Sequence, residues 1–281
     1  MRHLHTRSGA AGQLVFLPVV AVVAAGYGWR AAALTIAGAA LAVIPLVLWL
    51  LRDYPADVGL TAYGARPGDE AARPATGGAA ARAVAALAAA SRTRTFWLLA
   101  GGFAICGLST NGLIGTHFIP AAHDHGMAET TAAGLLALVG IFDIAGTIVS
   151  GWLTDRVDSR LLLAGYYSLR GLSLLVLPHL FAETAQPSML VFIVFYGLDW
   201  VATVPPTVTL CREIFGMSGA VVFGWVFASH QVGAAIAAVS AGAVRDGLGE
   251  YTLAWYGAGA LCAIAAGFSL MIVRERPHTV R

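Results

Sequence analysis

Long apolar runs and short polar connections alternate along most of the chain. Runs of spanning length fall near residues 10–27, 30–51, 96–120, 131–153, 161–181, 188–210, 219–243 and 251–273. A bilayer core takes roughly 20 such residues as a helix, and none of the runs shows the two-residue alternation of a membrane barrel strand. Backbone groups in hydrocarbon have to be satisfied within their own segment, so each run predicts a helix. The expected fold is an all-α integral membrane protein of about eight transmembrane helices. Pro18, Pro45 and the Pro205–Pro206 pair lie inside these runs and predict kinks, because proline brings no N–H to the helix ladder.

Composition leads to the same class. Of the 281 residues 58% are hydrophobic and 11% charged, with a mean hydropathy of +0.75. A soluble domain carries about 25% charged residues, and no single core buries so large an apolar excess. Lipid is the remaining solvent. All 17 basic residues are arginine, which together with the alanine and glycine content points to a GC-rich bacterial genome and an inner (plasma) membrane. A formal charge of +2 is too small to argue for nucleic acid. Cys106, Cys211 and Cys262 are scattered in or beside apolar stretches and read as small core residues, not as a disulfide framework or a metal site.

Arginine placement sets the expected orientation. With a cytoplasmic N-terminus, the inside segments hold Arg2, Arg7, Arg52, Arg66, Arg73, Arg82, Arg92, Arg94, Arg156, Arg160, Arg212, Arg274, Arg276 and Arg281. The outside ones hold Arg30 and Arg245, and Arg170 lies within a span. Both termini are expected in the cytoplasm. Three parts follow: two helices over residues 1–51, a cytoplasmic linker over 52–95 and a six-helix block over 96–281. The linker, with its prolines, glycines and alternating charges, is expected to be mostly disordered, with a short alanine-rich surface helix near Ala79 to Ala90.

The linker's flanks carry Tyr27-Gly-Trp-Arg30 and Leu51-Arg-Asp-Tyr-Pro-Ala-Asp-Val-Gly-Leu60, and the fourth span ends in Gly151-Trp-Leu-Thr-Asp155-Arg156-Val-Asp-Ser-Arg160. These segments resemble helices five and six, the central loop and the charged cytoplasmic motif between helices eight and nine of a major facilitator superfamily (MFS) transporter. Thr116-His117-Phe-Ile-Pro120, Tyr167-Ser-Leu-Arg170, Gly197-Leu-Asp199 with Val204-Pro-Pro206, and His230-Gln231-Val-Gly233 are similar to a bacterial subgroup near the monocarboxylate and oxalate/formate transporters. The resemblance implies helices five to twelve of a twelve-helix fold, with the C-terminal six-helix bundle complete. It also implies an N-terminally truncated member, or a second chain that supplies helices one to four. Monocarboxylate transporters follow their helix-eight aspartate with an arginine one turn on, whereas here Asp143 is followed by Thr147.

Asp143, Arg170, Asp199 and His230 each fall well inside a span, where a charged group costs on the order of 2.5–3.5 kcal/mol at the bilayer centre. Two readings are open. In one, Asp143 or Asp199 couples transport to protons, His230 is a second titrating group and Arg170 meets an anion. In the other, Arg170 and one aspartate form a buried pair that fixes packing. Asn111, His117 and Gln231 are neutral hydrogen-bonding candidates for the cavity. In the charged loop, Gly151, Asp155, Arg156 and Arg160 are expected to form a cytoplasmic gate whose pairing makes and breaks between states, against plain interfacial anchoring by the two arginines. His123-Asp124-His125 reads as a solvated loop, since adjacent residues rarely close a metal site. Small residues at four-residue spacing, Ala234, Ala238 and Gly242 with Gly233, Ala237 and Ala241 beside them, predict a closely packed eleventh helix.

The expected function is secondary active transport of a small organic solute by alternating access, with proton coupling and the lipid bilayer as surroundings. The alternative is a non-transporting membrane module that acts only by association with another membrane protein. No nucleophile and base, metal triad or phosphate loop appears at useful spacing, so an enzyme and a cofactor are not expected.

Overall fold

The computed structural model describes residues 4–52, 55–61 and 78–273. These residues are helical with short connections. The first helix, α1 (Leu4–Leu50), is interrupted at Gly28, whose φ of 81° lies in the region only glycine adopts freely. That break separates the apolar runs at 10–27 and 30–51. Then come α2 (Ala79–Ala90), α3 (Arg94–Gly107), a π-helical turn (Leu108–Ile114) and α4 (Gly115–Asp124). The remaining helices are α5 (Glu129–Thr154), α6 (Ser159–Val176), α7 (Pro187–Asp199), α8 (Val204–Phe215), α9 (Gly219–Leu248) and α10 (Thr252–Met271).

Among the described residues, six stretches are long and apolar enough to cross a membrane, one of them 62 residues long from Pro187 to Leu248. At 1.5 Å per residue such a stretch is far longer than one crossing. It turns at Gly216, where φ is 54°, which makes two crossings of it. Divided there, the six stretches give seven segments of spanning length; the arm of α1 ahead of Val22 is helical but is not among them.

The chain divides into two compact units, Val19–Arg82 and Met1–Pro18 with Ala83–Arg281. Within the first, the second arm of α1 is apolar on all sides and Arg30 lies 4.8 Å from the Trp29 ring centre. The alanine-rich helix spans the residues expected for it, whereas the linker over 62–77 lies outside the described residues. Its end belongs to the second unit, where Trp225 donates to the Ala83 carbonyl at 2.9 Å and Ala90 is buried.

In the second unit the helices pair as α3 with α9, α5 with α7 and α6 with α10. Small residues permit these contacts. A Cβ on Gly107 would fall inside the His230 carbonyl, and one on Gly233 would fall inside that of Ala104. Helix packing in lipid has little hydrophobic drive between helices, so it depends on such close backbone approach. The small-residue stripe expected on the eleventh helix is this surface of α9. Phe103 packs against α9, and Tyr167, Tyr196, Phe118 and Trp255 elsewhere in this unit are likewise almost completely buried.

Candidate functional site

The polar centre of the bundle is organised by a defect in one helix. Pro205 and Pro206 have no N–H, so the carbonyls of Val201 and Ala202 lose the partners that a continuous helix would supply. The chain turns over residues 200–203 between α7 and α8. Irregular backbone is tolerated at membrane depth only where protein satisfies it, and here three side chains from two other helices do so. Asp143 Oδ1 on α5 accepts the Val201 N–H at 3.2 Å. Ser150, seven residues further along the same face of α5, donates to the Ala202 carbonyl at 2.5 Å. Arg170 on α6 donates Nη2 to the Asp199 carbonyl at 2.6 Å and to that of Trp200 at 3.4 Å. The Val201 carbonyl takes the Val204 N–H at 2.9 Å.

Arg170 is 1% exposed, and a buried arginine needs compensation for lost hydration. Its Nε donates to Asp199 Oδ2 at 2.5 Å and its Nη1 to the Cys106 sulfur at 3.0 Å. Cys106 lies 3.3 Å from the Thr203 hydroxyl. The structure thus joins Asp199, Arg170, Cys106 and Thr203 into one chain of polar contacts across α7, α6, α3 and the turn before α8, with His230 on α9 packed beside it against Gly107. Asp143 stands beside it and receives Thr147 Oγ1 at 3.2 Å. Among the described residues, two buried atoms here have no hydrogen-bond partner, Asp199 Oδ1 and His230 Nδ1. The His230 ring stacks on Phe227, with 5.5 Å between centres and 4° between planes, and packs against Phe103.

The other candidates lie apart. His117 is buried and spends both ring nitrogens, on the Ala238 carbonyl at 2.9 Å and the Tyr251 hydroxyl at 3.3 Å. Asn111 and Gln231 are exposed, Asn111 within the π-helical turn. Such widened turns recur at functional sites; nothing in the apolar run around Leu108 marks one. In the charged loop, Asp155 closes α5 and is exposed, as is Arg156, which lies over the Trp152 ring at 4.1 Å. Gly151 is half-buried in the last turn of α5. The ion pair there joins Arg160 to Asp158 at 2.7 Å, and Arg160 Nη1 also reaches the Ile272 carbonyl beyond α10 at 3.0 Å. Asp158 in addition caps α6 by accepting the Arg160 N–H at 2.9 Å. In His123-Asp124-His125, Asp124 holds Arg245 at 2.8 Å and His125 stacks on Phe181.

Sequence reasoning missed Cys106, Ser150, Thr203 and Asp158 as members of these networks. Ser150 alone carried a signal, its spacing of seven from Asp143.

Comparison with known proteins bears on this arrangement. A family model described as Major Facilitator Superfamily matches residues 8–237. The uncharacterized MFS-type transporter YcxA of Bacillus subtilis (strain 168) is 30% identical over 186 residues, covering 64% of this chain and 44% of that protein. Monocarboxylate transporter 13 of Rattus norvegicus is 31% identical over 173 residues, 58% of this chain and 38% of that protein. Monocarboxylate transporter 13 of Bos taurus is 29% identical over an alignment of 300 residues, which takes in 96% of this chain and 66% of that protein. The chain therefore spans from 38% to 66% of the length of these curated relatives.

Proposed function

Because the chain belongs to the Major Facilitator Superfamily, as a multi-pass membrane protein of transporter type, we propose that it forms the larger part of a secondary transporter for a small organic solute, working by alternating access. In this reading residues 1–51 correspond to helices five and six, 52–95 to the central linker and 96–281 to the C-terminal half. The counterpart of helices one to four comes from the same polypeptide or from a second chain. The protein resides in a bacterial inner membrane with both termini and the linker in the cytoplasm, as the arginine distribution supports.

The observation that carries the proposal is the buried polar centre itself. Asp143, Arg170, Asp199 and His230, from four helices, are all buried in the bundle, and Arg170 is bonded to Asp199. Ionisable groups in a membrane interior are retained where they pair or serve a solute or proton path. Arg170 and Asp199 are the pair. Asp143 and His230 are the proton-coupling candidates, and exposed Asn111 and Gln231 are the solute-facing ones. His117, with both nitrogens engaged, packs α4 against α9. Gly151, Asp155, Arg156 and Arg160 form the cytoplasmic gate, with Asp158 holding Arg160 in the present state.

The names of the relatives suggest monocarboxylates as the first solutes to test. The assembly, complete with helices one to four, is reconstituted in proteoliposomes, and uptake of radiolabelled acetate, lactate and pyruvate is followed with and without an inward proton gradient. Gradient-stimulated uptake of one of them, abolished in Asp143→Asn at equal protein density, is the expected outcome. Uptake of none, or uptake indifferent to both gradient and variant, overturns proton-coupled transport of this class.

A further inference from the structure

The turn at residues 200–203 invites two explanations. In membrane proteins a broken helix often offers free backbone groups to a ligand. Here the carbonyls are not free. Besides the bonds already given, the Trp200 N–H goes to Gly197 at 3.1 Å, the Ala202 N–H to the Asp199 carbonyl at 3.3 Å, and the Thr203 carbonyl receives both the N–H and, at 2.6 Å, the hydroxyl of Thr207. The carbonyls of residues 199–203 all have a donor, so the break has little to offer a solute.

What distinguishes it is the source of its partners. Beside its own short turn bonds, the Val201 N–H and the carbonyls of Asp199, Trp200 and Ala202 are served by side chains of α5 and α6, which do not belong to the broken span. Such bonds let go when helices shift, whereas an i to i−4 ladder moves with its own helix. The face of α5 that supplies them is specially shaped. Asp143, Gly146, Thr147 and Ser150 recur at helical spacing, and a Cβ on Gly146 would fall inside the Leu198 carbonyl. This contact brings α5 against the last turn of α7, so that Asp143 and Ser150 reach past it to the unpaired groups.

We propose that residues 200–203 are a hinge between α7 and α8, and that Asp143, Ser150 and Arg170 form the latch that holds it in the bent state. When the latch opens, the segment closes its own hydrogen bonds or takes water, and α7 and α8 swing relative to each other. The use of such a hinge rests on the transporter reading, but its existence is measurable without any flux.

Amide hydrogen exchange, followed by mass spectrometry on the whole chain in phospholipid nanodiscs, reads the latch directly. Ser150→Ala removes one hydroxyl and leaves the Cβ. Exchange in peptides covering residues 199–204 is expected to rise about ten-fold, equivalent to about 1.4 kcal/mol, with peptides from α6 and α10 unchanged. The double variant Pro205→Ala/Pro206→Ala returns two N–H groups that close onto the Val201 and Ala202 carbonyls. It is expected to slow exchange at 199–204 below that of the natural chain and to make it insensitive to Ser150→Ala. Unaltered exchange at 199–204 in Ser150→Ala, or a rise of equal size throughout the bundle, overturns the hinge. Should Ser150→Ala not insert, the proline variant decides alone: exchange equal to or faster than that of the natural chain overturns the proposal. A latch that responds as expected in an assembly that carries no solute removes the transporter reading and leaves the hinge.

Discussion

Arg170 holds Asp199 twice, through Nε on the carboxylate at 2.5 Å and through Nη2 on the same residue's carbonyl oxygen at 2.6 Å. One guanidinium thus neutralises the side chain and closes the backbone at the residue where α7 ends. The planar fork of arginine is suited to this double task, and a lysine ammonium is not. Of the two readings open for Arg170, this geometry favours the buried pair that fixes packing.

Arg170→Met leaves the Asp199 carboxylate uncompensated among apolar neighbours and is expected to destabilise by about 3–5 kcal/mol. The charge-exchanged variant Arg170→Asp with Asp199→Arg restores the sign of the pair but not the bonds to the carbonyls of residues 199 and 200. Its stability is expected to recover by less than half. Thermal unfolding of the purified chain in detergent checks both, and full recovery would mean that the backbone bonds contribute little.

The α3 and α9 contact supplies a steric prediction. Gly107→Ala and Gly233→Ala each place a methyl where a carbonyl already sits, and overpacking of this kind costs about 1–3 kcal/mol or more. Gly165 on α6 has nothing within 4 Å of its ideal Cβ. Gly165→Ala is expected to be neutral, or stabilising by up to about 1 kcal/mol through helix propensity. The same unfolding measurement separates the three variants, and equal losses in all of them would refute the close-approach account.

His230→Phe separates packing from chemistry beside the polar chain. A phenyl ring keeps the stack on Phe227 and removes Nδ1, a buried atom with no hydrogen-bond partner. Relief of an unsatisfied polar group is worth about 1–3 kcal/mol, so membrane abundance should stay level or rise. Gradient-driven uptake by the complete assembly should fall if His230 carries a proton. Quantitative blotting beside flux measurement decides, and loss of both together points to packing alone.

Orientation is the broadest expectation. Reporter fusions at both termini and within residues 62–77 should report the cytoplasm, and one near Glu183 the opposite side. A linker reported outside would reverse the arginine argument and, with it, the placement of the charged loop at residues 151–160.

Much of this protein was legible along one dimension. Apolar runs are local and have to be about as long as a bilayer is thick, so the spans were readable without knowing what packs on what. Pro205 and Pro206 announced the broken helix, the stripe from Gly233 to Gly242 announced a close contact, and the run at Ala79–Ala90 announced a short helix. Partner choice was not legible. Arg170 had two aspartates to choose from, and only the fold directs it to Asp199, 29 residues away, while Asp143 is taken by the Val201 N–H, 58 residues away. Asp158 holds Arg160 although Asp155 is the motif's conspicuous acid, because Asp158 begins α6 and Asp155 ends α5. Cys106 looked like filler, yet its sulfur links α3 to Arg170 on α6 and to Thr203 in the turn before α8. Hydrophobic length depends on the solvent and is written residue by residue. The pairing of buried polar groups depends on which helices approach closely enough to share a backbone defect, and no period along the chain records that.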